Sequence, residues 1–330
     1  MMDTNQEIQR ENEEVEVAFV QKIAEKINNE IAKVIIGNQE LVDFMVAALL
    51  TGGHILLEGP PGVAKTLMAK LLAQSIQTDF SRIQFTPDLM PSDVTGTSVF
   101  NLKTSEFSFM KGPIFSNIIL IDEINRAPAK TQSALFEVME ELQVSVDGNS
   151  YPMGFPYMVM ATQNPIEQEG TYRLPEAQLD RFIFKLNVDY PDLTGEKEIL
   201  RRFQNDFKQN VKKEVQAVCS ANDIQSCQDL VESVFIQPEL LDYIAAIVDG
   251  TRSHRFLFLG ASPRASLAIL KTSKAMAAIG GRNFVTPDDI RMVTYPVLIH
   301  RVILTPEKEM EGVTIEEVIT EIIQKIEVPR

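Results

Sequence analysis

After a polar, acidic opening of about fifteen residues, Val20, Ile23, Ile27, Ile31 and Val34 recur at steps of three and four. That spacing gathers side chains on one face of a helix. The charged opening itself is expected to fray. Further along, short apolar runs occur at residues 54–58, 80–85, 118–121, 158–161 and 182–186, with stretches of helical period between several of them. Continuous apolar runs of this length, each covered by helices, predict strands of a parallel sheet buried on both faces. The expected fold class is therefore α/β, with five parallel strands flanked by helices.

Two segments break the rhythm. Residues 99–110 alternate and end in Lys111-Gly112-Pro113, and residues 144–151 centre on Asp147-Gly148. Asp-Gly between alternating residues predicts a hairpin. From about Asp189 onward no buried strand is evident and the period is mostly helical, as in Leu240, Leu241, Ile244, Ile247 and Val248. A cut near Tyr190-Pro191 divides the chain into residues 1–190, an α/β domain with an N-terminal helix and two hairpins, and residues 191–330, a smaller helical domain. The last clear helix start is Thr286-Pro287-Asp288-Asp289, with a capping Thr, Pro in the first helical position and acids in the first turn.

Composition narrows the class. The chain has 330 residues, 45% of them hydrophobic and 23% charged, which excludes wholesale disorder and a disulfide-stapled miniprotein. A net charge of −15 repels nucleic acid and anionic lipid, so neither is expected as a partner. Cys219 and Cys227 have no CxxC or nearby His, which disfavours zinc and fits a reducing compartment. The acidic N-terminus lacks a signal peptide's basic start, and no run of about eighteen apolar residues occurs, so a cytoplasmic protein is expected.

The chemistry concentrates where the run 54–58 enters Gly59-Pro60-Pro61-Gly62-Val63-Ala64-Lys65-Thr66, followed by the helix-compatible Leu67-Met68-Ala69-Lys70. A glycine-rich turn between strand and helix lets backbone N–H groups converge on phosphates at the helix's positive end. Lys65 would reach the β- and γ-phosphates and Thr66 would ligate Mg²⁺. Ala64 stands where the pattern asks for a second glycine, and a Cβ there makes positive φ costlier. The plainer alternative is a glycine-rich turn with a solvated lysine.

A second run, Ile118-Ile119-Leu120-Ile121, ends in Asp122-Glu123. Two acids at the carboxyl end of a buried strand stand at the crevice where α/β sheets bind ligands. Asp122 would hold Mg²⁺ and Glu123 would polarise the attacking water. A third run ends in Ala161-Thr162-Gln163-Asn164-Pro165, where Asn164 could contact the γ-phosphate or serve as a simple turn residue. Arg181, in Leu179-Asp180-Arg181-Phe182, suits a cation offered to a neighbouring subunit's phosphate, against the plainer reading of a surface ion pair with Asp180.

With these residues in view, the chain resembles the MoxR-type AAA+ ATPases over nearly its whole length. The likeness rests on Gly53 to Gly59, Gln84 to Asp93, Asp122 to Leu135, Ala161 to Asn164 and Leu174 to Phe182. It implies an AAA+ P-loop fold with an all-helical C-terminal lid. Gly59, Pro60, Pro61, Gly62, Val63, Ala64, Lys65, Thr66 and Leu67 become the Walker A region, and Asp122 and Glu123 become Walker B. Asn164 becomes sensor 1, Arg181 the arginine finger, and Arg264, in Gly260-Ala261-Ser262-Pro263-Arg264, a sensor 2 reaching the bound γ-phosphate. Ile36-Gly37 would wall the adenine.

By the same resemblance the cofactors are ATP and Mg²⁺, and the assembly is a homo-oligomeric ring, a hexamer, with Arg181 acting in trans. A client protein or a partner carrying a von Willebrand factor A domain is implied, and the hairpins would face a partner or the ring pore. Two other readings compete. One is a nucleotide-gated scaffold with vestigial hydrolysis; the other is a helicase-type ATPase, which the negative charge opposes. His54, His254 and His300 show no ligand spacing and are expected to be structural, and Lys208, Lys212 and Lys213 beside Glu214 read as a solvated face.

Overall fold

The computed structural model describes residues 2–103, 105–164, 172, 174–204 and 215–329. Pro165 and the cluster of Lys208, Lys212, Lys213 and Glu214 lie outside the described residues. Five parallel strands, β1 (His54–Glu58), β2 (Phe80–Gln84), β5 (Ile118–Asp122), β8 (Met158–Gln163) and β9 (Phe182–Asn187), form one sheet in the order β2-β5-β8-β1-β9. β2 differs from the expected doubly buried strand. It lies at an edge and, of its side chains, only Ile83 is buried.

Alternation along the strands splits the core between two faces. Ile55, Leu57, Leu120, Met160 and Phe184 pack with α1 (Met2–Ala32), α2 (Gln39–Leu50) and α3 (Lys65–Ser75). Leu56, Ile119, Ile121, Val159 and Phe182 face the other way, onto Leu135, Phe136 and Met139 of α5 (Ala129–Glu141). In α1, Val20, Ile23, Ile27 and Ile31 are buried as their spacing predicts. The helical backbone runs back to Met2, so the acidic opening is helical where fraying was expected.

His54 ties the layers together. Its Nε2–H donates to the carbonyl of Met139 (3.1 Å), and its Nδ1 accepts from the amide of Val159 (3.1 Å), fixing one neutral tautomer. Burial holds its pKa down at about 4.

Both hairpins form. One follows the short helix α4 (Pro91–Thr95) and consists of β3 (Gly96–Asn101) and β4 (Glu106–Lys111); the other is β6 (Gln143–Val146) with β7 (Asn149–Pro152). Asp147 (φ 51°) and Gly148 (φ 77°) both turn left-handed, as a tight hairpin turn requires. The hairpins touch each other. Ser98 Oγ donates to Asp147 Oδ2 (2.5 Å), and the rings of Phe109 and Tyr151 stack at 4.4 Å.

After α6 (Glu176–Leu179) and β9 come α7 (Leu193–Phe203), α8 (Ala221–Ser233), α9 (Pro238–Ser253), α10 (Pro263–Ile279), α11 (Pro287–Leu298), α12 (Pro306–Met310) and α13 (Ile315–Lys325). Thr286 and Asp289 form the reciprocal cap of α11. The region is not all helix, because β10 (Leu257–Leu259) pairs with β11 (Ile303–Leu304). In α9, Leu240, Ile244, Ile247 and Val248 are buried, whereas Leu241 points off that face and is 41% exposed. No described helix is long and apolar enough to cross a membrane. Cys219 and Cys227 are free and buried, and burial pushes both thiols up to about 12.

Candidate functional site

Residues 59–64 join β1 to α3. At Gly59 a Cβ would stand 2.2 Å from the carbonyl oxygen of Val188, a backbone-to-backbone approach that only glycine permits. Gly62 takes φ +88° with open space beside it. Ala64 adopts φ 62°, ψ 19°, the left-handed conformation that its Cβ makes costly by about 1–2 kcal/mol. The loop therefore takes its glycine-type turn despite the substitution. Ala64 has no side-chain oxygen to cap α3, so the amides of the first turn are not capped by it. An anion there would accept from those amides.

Lys65 opens α3, and its Nζ donates to the carbonyl of Gly59 (2.6 Å). Partial burial lowers its pKa, while Asp122, Glu123 and Glu58 act in the opposite direction. Thr66 follows, half-buried; Val63 is buried and Leu67 packs on the core, while Pro61 is exposed. Ile36 is half-buried, and its Cγ2 lies 3.7 Å from the place a Cβ at Gly195 of α7 would occupy. Gly37 has φ +72° and is exposed. A cavity of about 620 Å³, lined by residues such as Asn38, Leu41, Asn187 and Tyr295, adjoins that turn but includes no residue of the 59–67 loop. Volume alone does not mark the site.

The acids stand at the same carboxyl edge of the sheet, brought there by the parallel β5 and β8. Asp122 is buried; its Oδ1 accepts from Thr162 Oγ (3.2 Å) and its Oδ2 from Arg82 Nε (2.5 Å). The Thr162 hydroxyl also accepts from the amide of Glu123 (3.0 Å), which fixes the two acids relative to each other. Glu123 is left-handed (φ 57°, ψ 54°), a costly conformation typical of functional sites. Its Oε2 accepts from Gln84 Nε2 (2.7 Å) and pairs with Arg126 Nε (3.0 Å). Asn164 directly follows β8, at the edge where Glu58 and Gln163 lie side by side. Arg82, Gln84 and Thr162 were not assigned from sequence, because their roles depend on strand neighbours rather than on spacing; Arg126 was also missed, although it lies only three residues beyond Glu123.

Arg181 and Arg264 lie elsewhere. Arg181 directly precedes β9, at the amino edge of the sheet, and donates from Nη1 to the carbonyl of Phe136 (3.0 Å). It also pairs with Glu140 near the end of α5. Arg264 Nη2 donates to the other carboxylate oxygen of Glu140 (2.8 Å). The contact from His54, the first residue of β1, to Met139 places this end of α5 at the strands' amino ends. One strand length, on the order of 15 Å, separates it from the phosphate loop. Arg264, expected to reach a bound γ-phosphate, is thus placed beside Arg181 rather than beside the 59–67 loop of its own chain.

The residues present fit a magnesium nucleotide. The loop leaves room beside Gly62 and at the start of α3, and the Lys65 ammonium lies at the same turn, on the carbonyl of Gly59. Thr66 and Asp122 offer hard oxygens, which suit an ion that keeps most of its ligands from phosphate and water. Among the described residues no group of three or more His, Cys, Asp and Glu could hold a metal unaided.

The strand order, the glycine-turned loop and the acids beside it define a P-loop nucleotide-binding protein of the AAA class. Comparison with known proteins agrees. Residues 54–184 match the model of the ATPase family associated with various cellular activities (AAA), and residues 249–322 match the AAA lid domain. The chain is 43% identical to the chaperone MoxR1 of Mycobacterium tuberculosis, over 91% of this chain and 81% of that protein. It is 46% identical to the uncharacterized protein YeaC of Bacillus subtilis, over 93% of this chain and 94% of that one. The crystal structure of a candidate ATPase from Cytophaga hutchinsonii superposes with a TM-score of 0.89 at 41% identity, covering 98% of this chain and all of that one. The chain belongs to the MoxR family of AAA ATPases.

Proposed function

We propose that the chain hydrolyses ATP in a Mg²⁺-dependent reaction within a homo-oligomeric ring, a hexamer, and uses the cycle to remodel or mature a client protein complex. The observation that carries this reading is the separation of charge across the sheet. Lys65, Thr66, Asp122 and Glu123 occupy one edge, and Arg181 and Arg264 occupy the other. A cation one strand length from its own phosphate loop is out of reach of that phosphate, which supports a role at the phosphate of a neighbouring copy.

The loop amides and Lys65 hold the phosphates, and Ile36-Gly37 walls the adenine. Thr66 and Asp122 hold the metal, which when bound offsets charge on the phosphoryl oxygens. Glu123 takes a proton from the attacking water, and Asn164 orients that water. Arg181 and Arg264 of the adjacent subunit stabilise the charge that develops in transfer. The Mycobacterium relative is named a chaperone, and that role is carried over to this chain, with a client or a von Willebrand factor A domain protein as its partner. The negative net charge disfavours nucleic acid, and two free, buried thiols suit the cytoplasm.

The test mixes two inactive chains. An Arg181→Ala subunit keeps Glu123, and a Glu123→Gln neighbour supplies Arg181, so mixed rings are expected to regain turnover that neither parent shows. Mixed rings that assemble yet release no phosphate in any ratio would overturn the trans arrangement. A scaffold with vestigial hydrolysis is favoured by one feature, the hold of Gln84 and Arg126 on Glu123. That alternative expects tight nucleotide binding, background phosphate release and no response to Glu123→Gln.

A further inference from the structure

Arg181 and Arg264 come from distant parts of the chain, yet each follows closely on a residue of one hydrogen-bonded node. Asp180 immediately precedes Arg181. Its Oδ2 accepts from Ser262 Oγ (2.9 Å), and Ser262 is the N-cap of α10, two positions before Arg264. The same hydroxyl accepts from the amide of Arg264 (3.2 Å). The other oxygen of Asp180 accepts from Arg301 Nε (2.7 Å).

Arg301 is buried and spends its remaining donors on backbone. It reaches the carbonyls of Asp180 (3.1 Å), Phe182 (2.6 Å), Ile183 (3.3 Å) and Val297 (2.6 Å). His300 adds a donation from Nε2 to Phe182 (2.9 Å). A guanidinium so placed roots the start of β9 in the end of α11. On their far side the two arginines share the exposed Glu140, while Arg181, half-buried, also donates to the Phe136 carbonyl; a carboxylate this open to solvent is held weakly enough to exchange.

We propose that Asp180, Arg301 and Ser262 are positioning residues that set Arg181 and Arg264 as one two-pronged anion clamp, with Glu140 the exchangeable carboxylate that a neighbour's phosphate replaces. This rests on the trans reading above and adds what fixes its geometry. Because transition-state stabilisation depends on sub-ångström placement, loosening the node should slow the chemical step and spare binding at the chain's own loop. Asp180→Asn would strand a buried cation and endanger folding, so Ser262 is the informative position. Ser262→Gly removes the hydroxyl while keeping a good helix cap, and Ser262→Thr keeps both.

The experiment measures steady-state ATP hydrolysis, thermal unfolding and affinity for a fluorescent ATP analogue in full-length rings. Ser262→Gly is expected to lower kcat between about ten- and a hundredfold, with KM, analogue affinity and melting temperature close to wild type. Ser262→Thr is expected to restore the rate. In an Arg264→Ala background Ser262→Gly should cost little more, since the prong it positions is already gone. An unchanged kcat in Ser262→Gly, or a loss that adds in full to that of Arg264→Ala, overturns the positioning role. If Arg181→Ala and Arg264→Ala themselves leave hydrolysis untouched, the trans reading fails instead, and the two failures are told apart.

Discussion

The two edges of the sheet are built on opposite principles. At the carboxyl edge the chain bends its own backbone: Gly62, Ala64 and Glu123 all take left-handed conformations, and the functional groups sit within a few residues of those bends. At the amino edge, Arg181 and Arg264 are placed by side chains far apart in sequence, through Asp180, Ser262 and Glu140. Local strain makes a phosphate pocket that one chain can form alone. Long-range hydrogen bonding gathers two cations at the edge opposite that pocket.

Substitutions at each edge sharpen this contrast. Arg181→Ala is expected to reduce turnover by on the order of 10³-fold while nucleotide affinity stays near wild type, since in the proposed trans arrangement the lost cation acts on a neighbour's reaction. Equal loss of both in paired rate and binding assays would break the division of labour. Lys65→Ala should do the reverse of that split and weaken nucleotide binding by about 10²-fold, the value of a charged hydrogen bond, as titration of a fluorescent nucleotide can show.

Between the edges stands His54. The folded chain keeps it neutral down to about pH 4, whereas an unfolded histidine protonates near 6.5, so the unfolded state binds more protons in that interval. Stability is therefore full above pH 6.5 and is lost as pH falls toward 4, by on the order of 3 kcal/mol. Buried His300, whose pKa burial also lowers, acts in the same direction. Urea midpoints across that range should fall on acidification, and less steeply in His54→Gln. The smallest effect belongs to Ala64→Gly. Relief of left-handed strain is offset by a freer unfolded chain, leaving a change within about 1 kcal/mol, whereas Ala64→Val should weaken nucleotide binding.

Much of the carboxyl edge was legible in the residues themselves. The apolar runs of β1, β5 and β8 are buried throughout or nearly so, and the glycines, Lys65 and the paired acids follow them directly. Asp147-Gly148 announced its hairpin for the same local reason. The neighbours of Arg264 were not legible, because its position depends on how α10 docks, through the contact of Ser262 with Asp180, which no spacing encodes. The cap at Thr314 and Glu317 that opens α13 was written as a T-x-x-E signal and passed over. Leu241 shows the limit of periodicity, since five apolar residues in a window need not all share one face.

One further consequence follows from the stitching of the two hairpins. Ser98 with Asp147, and Phe109 with Tyr151, join loops that the chain makes on either side of α5. The two hairpins are thereby tied to each other as well as to the sheet domain, and β6 follows almost directly on α5, the helix that starts a few residues beyond the acid pair.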